Sequence, residues 1–112
     1  MREFSGRVAV VTGGGGGIGA ALCRVCSERG MRVAVVDVDK TAAEEVASAI
    51  RSQGGEAFSS AVDVRHRAQI ESLAHEVDQK FGACHLLFNN AGANVPPPMR
   101  RGTSSASVLE DL

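Results

Sequence analysis

Apolar and polar positions follow two rhythms along this chain. Residues 7–12, RVAVVT, form a short β-branched run that stops at glycines, the pattern of a buried strand. The period then changes. Ile18, Ala21, Leu22, Val25 and Cys26 recur at helical spacing, which predicts a helix with those residues inward and Gly30 as its stop. RVAVVD (residues 32–37) nearly repeats the first run. A second helix is expected over about residues 40–53, with Ala43, Val46, Ala47 and Ile50 inward and Gly54-Gly55 ending it. EAFSSAVDV holds a third, weaker strand. Ile70, Leu73, Val77 and Phe81 mark a third helix closed by Gly82, and HLLFN, residues 85–89, reads as a fourth strand.

Strands alternating with helices of this length require right-handed crossovers and a parallel sheet covered on both faces. The near-continuous apolar strands fit such burial. The expected fold is therefore α/β, a doubly wound parallel sheet of Rossmann type. After Asn94 the periodicity is lost. VPPPMRRGTSSAS carries three consecutive prolines and predicts an extended or mobile loop. Further on, Ser107 and Glu110 have the spacing of a reciprocal helix cap, and Asp111 adds an acid where a helix dipole favours one. Residues 1–95 are thus expected to form one unit, and residues 96–112 a poorly ordered loop and the start of a further helix.

At 112 residues, 44% hydrophobic and 22% charged, the composition is that of an ordinary soluble domain with little stability to spare. A net charge of −1 gives no reason to expect nucleic acid or an anionic membrane as partner. No apolar run approaches the ~20 residues that span a bilayer. The N-terminus has no signal-peptide pattern, so three cysteines suggest reduced thiols and a cytoplasmic protein. The Cys23-x-x-Cys26 pair lies mid-helix rather than at a helix start, which favours packing over redox chemistry. No metal site is expected.

The chemistry concentrates in VVTGGGGGIGAAL. A strand-to-helix turn there aims free N–H groups of the helix above the sheet edge, where both the donors and the dipole favour a pyrophosphate. The glycines satisfy two spacings, Gly14-x-Gly16-x-x-Gly19 and Gly13-x-x-x-Gly17-x-Gly19, the second preceded by Thr12. Asp37 ends the second strand eighteen residues beyond Gly19. A carboxylate at that place accepts bonds from the two hydroxyls of a ribose and repels a 2′-phosphate. Val38 and Asp39 follow it, with no Arg to receive that phosphate, so NAD is expected in preference to NADP.

With Thr12-Gly13, Gly17-Ile18-Gly19, Asp37, Asp63-Val64 and Asn89-Asn90-Ala91-Gly92 in order, residues 5–95 resemble the short-chain dehydrogenase/reductase family. The resemblance implies strand order 3-2-1-4 and hydride transfer between a nicotinamide cofactor and an alcohol or carbonyl. It implies that Asp63 contacts the adenine with Val64 beside it. Asn89 would steady the central strands, and Ala91 and Gly92 would line the cofactor's ribose. The expected cofactor set is Thr12, Gly13, Gly15, Gly16, Gly17, Ile18, Gly19, Asp37, Val38, Asp63, Val64, Asn90, Ala91 and Gly92.

The family's catalytic Tyr, Lys, Ser and Asn all follow the Asn-Asn-Ala-Gly motif. This chain has no Tyr, and its lysines, Lys40 and Lys80, match no catalytic position. No catalytic residue is therefore assigned. The expectation is a cofactor-binding fragment, inactive alone, that self-associates through an open sheet edge at Leu86, Leu87 and Phe88. A non-catalytic nucleotide-binding or regulatory module and a nonfunctional fragment are the alternatives.

Overall fold

The computed structural model describes residues 4–90. Four strands and three helices alternate: β1 (Val8–Thr12), α1 (Gly17–Glu28), β2 (Arg32–Asp37), α2 (Lys40–Ser52), β3 (Ala57–Ala61), α3 (Arg67–Phe81) and β4 (Leu86–Asn89). All pairings are parallel and the order is β3-β2-β1-β4. Val10 lies opposite Ala34 on one side and Leu87 on the other. Every residue of β1 is buried, as a central strand with two neighbours and two covered faces requires.

Because strand side chains alternate, one sheet builds two cores. Ala9, Val11, Val33 and Val35 face α1 and α2, meeting Ala20, Cys23, Ala43, Val46, Ala47 and Ile50. Val8, Val10, Ala34 and Val36 face α3, meeting Ile70, Leu73, Ala74 and Val77. The inward faces expected of α2 and α3 are those observed. Asp39 caps α2, its carboxylate accepting from the Ala42 N–H at 3.1 Å. Gly82, left-handed at φ +83°, ends α3.

Two expectations need correction. The buried face of α1 is Gly19, Ala20, Cys23 and Cys26, not the larger residues. Ile18 and Val25 are 72% and 46% exposed, Ala21 is exposed and Leu22 is half-buried. The helix lies so close to the sheet that only small side chains fit beneath it. At the β4 edge, Leu87 is not open to solvent, because its side chain points to α3 and is buried there. Leu86 and Phe88 point to the α1 side and are only half-buried. Among the described residues, β4 pairs with β1 alone. The expected loop and helix start of residues 96–112 lie outside the described residues. No helix among the described residues is long and apolar enough to cross a membrane.

Candidate functional site

The carboxyl ends of β1, β2 and β4, the turn after β3 and the start of α1 meet at one edge of the sheet. β1 ends at Thr12, whose buried hydroxyl lies 3.1 Å from Asn89 Oδ1 and 3.3 Å from the Phe88 carbonyl. That contact ties β1 to β4 where both strands stop. The chain then turns through the glycines. Gly13 (φ +65°) and Gly17 (φ +56°) occupy left-handed backbone that favours glycine. At Gly19 a Cβ would stand 1.9 Å from the Gly13 carbonyl oxygen, so helix and loop meet without room for a side chain. These three positions are the spacing 13-17-19. Gly16, which the alternative spacing would require, is extended and a Cβ there would meet nothing within 4 Å.

The loop is fastened on three sides. The Gly14 N–H donates to the Val36 carbonyl at 2.9 Å. The Gly15 N–H donates to Asp37 Oδ2 at 3.0 Å. Asn90 Nδ2 donates to the Gly13 carbonyl at 3.3 Å. Above the loop the start of α1 has neither a side-chain cap nor an acid in its first turn. No side chain of that turn neutralises the positive end of the helix, an arrangement suited to an anion. A Cβ at Gly16 or Gly17 would meet no protein atom within 4 Å, so the surface beside that end is open. A dinucleotide's pyrophosphate fits this cradle of N–H donors.

Asp37 stands beside the loop at the end of β2. Its Oδ1 accepts from the Asp39 N–H at 3.0 Å while Oδ2 holds the Gly15 N–H. Val38 next to it is 69% exposed, and Ile18 projects from the first turn of α1. Asp63 follows β3 at the same edge. Its carboxylate accepts from the Arg65 guanidinium, at 2.8 and 3.0 Å, and from the Arg65 N–H. Those bonds, the guanidinium first, hold its carboxyl well below the usual carboxylate range. Val64 turns inward and packs on the α3 core. Ala91 and Gly92 lie outside the described residues.

The structure thus brings Thr12, the glycines, Ile18, Asp37, Val38 and Asn90 around one loop, with Asp63 at the neighbouring strand end. The sequence pattern did not reveal that Arg65 occupies Asp63, although an acid and an Arg two apart after a strand is the available signal. Gly14 entered one of the two glycine spacings but not the expected cofactor set. A Cβ at Gly14 would stand 3.0 Å from the Val11 carbonyl oxygen and 3.2 Å from Cys23 Sγ.

Cys23, Cys26 and Cys84 are buried free thiols, consistent with packing rather than redox chemistry. Among the described residues no group of three or more His, Cys, Asp or Glu could hold a metal. A 370 Å³ cavity lies at the opposite end of the sheet, between Ser27, Ile50 and Gly55, and contains none of the site residues.

A family model described as short chain dehydrogenase matches residues 7–110. An uncharacterized oxidoreductase of Bacillus subtilis, YxbG, is 36% identical over 94 residues, which are 84% of this chain and 34% of that protein. A short-chain dehydrogenase/reductase from Burkholderia phymatum, solved in complex with NAD, superposes with a TM-score of 0.74 at 38% identity, over 78% of this chain and 31% of that one. A metagenomic short-chain oxidoreductase solved in complex with NADP gives a TM-score of 0.74 at 43% identity, over 80% and 40%. The chain spans about a third of the length of the curated relatives it matches.

Proposed function

The chain belongs to the short-chain dehydrogenase family, and from that premise we propose that it is the cofactor-binding part of an NAD-dependent oxidoreductase of an alcohol or carbonyl group. The observation that carries the preference for NAD is Asp37, whose carboxylate stands beside the glycine loop with Val38 and Asp39, not an Arg, after it. A nicotinamide dinucleotide, when bound, supplies the site that gives or takes a hydride. This chain's residues hold it. The N–H groups at the start of α1 receive the pyrophosphate, those of Gly14 and Gly15 being bonded to Val36 and Asp37, and Thr12 steadies the strand that carries the loop. Asp37 takes the adenosine ribose, and Ile18 and Val38 flank the opening. Asp63 lies toward the adenine, and Val64 anchors that turn to the α3 core. Asn90 holds the loop from the β4 side through the Gly13 carbonyl.

In this reading residues 1–95 are the cofactor unit, residues 96–112 lie beyond it, and the protein is cytoplasmic. The open β4 edge favours self-association. Since the chain has no Tyr, the acid/base that accompanies hydride transfer is not among its residues.

Calorimetric titration of the 112-residue chain with NAD and NADP tests the reading. NAD should bind more tightly. Asp37→Ala should weaken NAD about 10- to 150-fold, the loss of a charge-assisted hydrogen bond of roughly 1.5–3 kcal/mol. Equal or tighter NADP binding to the unmutated chain would overturn the preference. The same chain should leave NADH absorbance unchanged across a panel of alcohols and ketones. Clear turnover would overturn this, and His85 would not explain it, because it stands at the amino end of β4 with its Nδ1 accepting from the Val8 N–H at 3.0 Å.

A further inference from the structure

We propose that Gly15 is a specificity-determining position: its missing side chain and its N–H together set the Asp37 carboxylate in the orientation that a ribose diol needs. The proposal rests on the reading of Asp37 given above. A carboxylate offers about four lone-pair sites. The Asp39 N–H uses one on Oδ1 and the Gly15 N–H one on Oδ2. One site stays open on each oxygen, matching the two O–H donors of a vicinal diol. Two backbone donors from different segments, the loop and the start of α2, also fix the plane of the carboxylate before ligand arrives. A preorganised acceptor of this kind loses less on binding than a freely rotating one.

The close approach depends on glycine. A Cβ at position 15 would stand 2.9 Å from Asp37 Oδ2, 2.8 Å from Ala42 Cβ and 3.0 Å from the Ala43 nitrogen. Gly15 does not occupy left-handed backbone, so a positive φ is not what calls for glycine there. The obstacle is contact alone. Either the carboxylate turns away or the loop lifts from α2, and both break the N–H bond to Oδ2. Gly15 touches the carboxylate and acts on the cofactor through it, so it is a positioning residue.

The readout is the ratio of NADP to NAD dissociation constants, because a merely structural defect in the loop weakens both cofactors alike. Gly15→Ala is expected to weaken NAD roughly 10-fold, the scale of one lost charge-assisted bond. NADP should change less than about 3-fold, well under one decade. In the Asp37→Ala background, Gly15→Ala should leave the ratio unchanged. Adding Ala42→Gly to Gly15→Ala relieves the helix contact but keeps the carboxylate conflict, so the ratio should stay low. Ratio recovery would place the effect in α2 packing and overturn the proposal.

Equal loss of both cofactors, or an unchanged ratio in Gly15→Ala while Asp37→Ala shifts it, also overturns it. An unchanged ratio in Asp37→Ala defeats the reading of Asp37 instead. Should the Gly15 variants not fold, the amide resonance of Gly15 in the Asp37→Asn chain decides. It must move relative to the unmutated chain, and an unmoved resonance counts against the bond.

Discussion

Cys23 shows how one core residue reaches the site. Its sulfur lies beneath the glycine loop, 3.9 Å from the Gly14 carbonyl oxygen. Burial pushes the Cys23 thiol from its ordinary 9.0 up to about 12, with the neighbouring Cys26 adding to it. Burial, then the charge of Asp78, pushes Cys84 up to about 12 as well. Between these values the unfolded chain has released its thiol protons while the native chain still holds them. The stability contributed is complete below pH 9 and is lost as pH rises toward 12. Urea midpoints are therefore expected to fall from about pH 8.5 upward, and Cys23→Ala to make the fall shallower, as the linkage requires. Midpoints independent of pH, or native Cys23 alkylated as fast as a free thiol, would contradict this account.

At the same scale the sequence carried the identity of the loop but not its fastening. The glycine run, Asp37 and the Asn pair are legible because each residue type has few other uses in that context. The Gly15 to Asp37 bond and the Arg65 grip on Asp63 depend on how β2, β3 and the loop stand in space. No local pattern encodes those distances.

At the scale of elements, periodicity gave α2 and α3 their correct inner faces and α1 a wrong one. α2 and α3 bury their larger residues, Val46 and Ile50 in the first, Ile70 and Leu73 in the second. Size and burial then agree, and the hydrophobic period reads true. α1 presses small residues to the sheet and turns Ile18 and Val25 outward. The reason is the cradle itself. A helix whose first turn must sit within reach of the Gly13 carbonyl cannot be held off the sheet by a large side chain. Val25→Ser should accordingly change stability by no more than about 0.5 kcal/mol, as exposed sites do. Ala20→Leu, forced under the helix, should cost about 1–3 kcal/mol by overpacking. Denaturant titration of both variants measures the contrast. A Val25→Ser cost equal to that of Ala20→Leu would return the large residues to the inner face.

For the molecule as a whole, the two faces of the sheet are unequally finished. The α3 side closes over Leu87 and Val10. On the other side α1 sits over β1 and β2, and its Arg24 and Ser27 flank shares a cavity with α2. Leu22 lies on the opposite flank and, with Leu86 and Phe88, is only partly covered. Ile18 and Val25 extend this apolar strip into solvent. β4 adds an edge that, among the described residues, has no second neighbour. An apolar strip next to such an edge invites a second copy to pair with it. Burying each Leu or Phe contributes about 1.5–3 kcal/mol, against a total stability of about 5–15 kcal/mol for a domain. The isolated chain is therefore expected to be marginally folded, to self-associate with rising concentration, and to be rescued only in part by NAD, since a dinucleotide at the glycine loop adds no strand beside β4. Phe88→Lys should raise the monomer fraction, since a charge on an edge strand opposes pairing. Size-exclusion chromatography with light scattering, at low and high concentration and with and without NAD, measures this. A single 11.6 kDa species at every concentration, melting cooperatively well above room temperature, would defeat the expectation. It would mean that these residues suffice for a closed, independent domain.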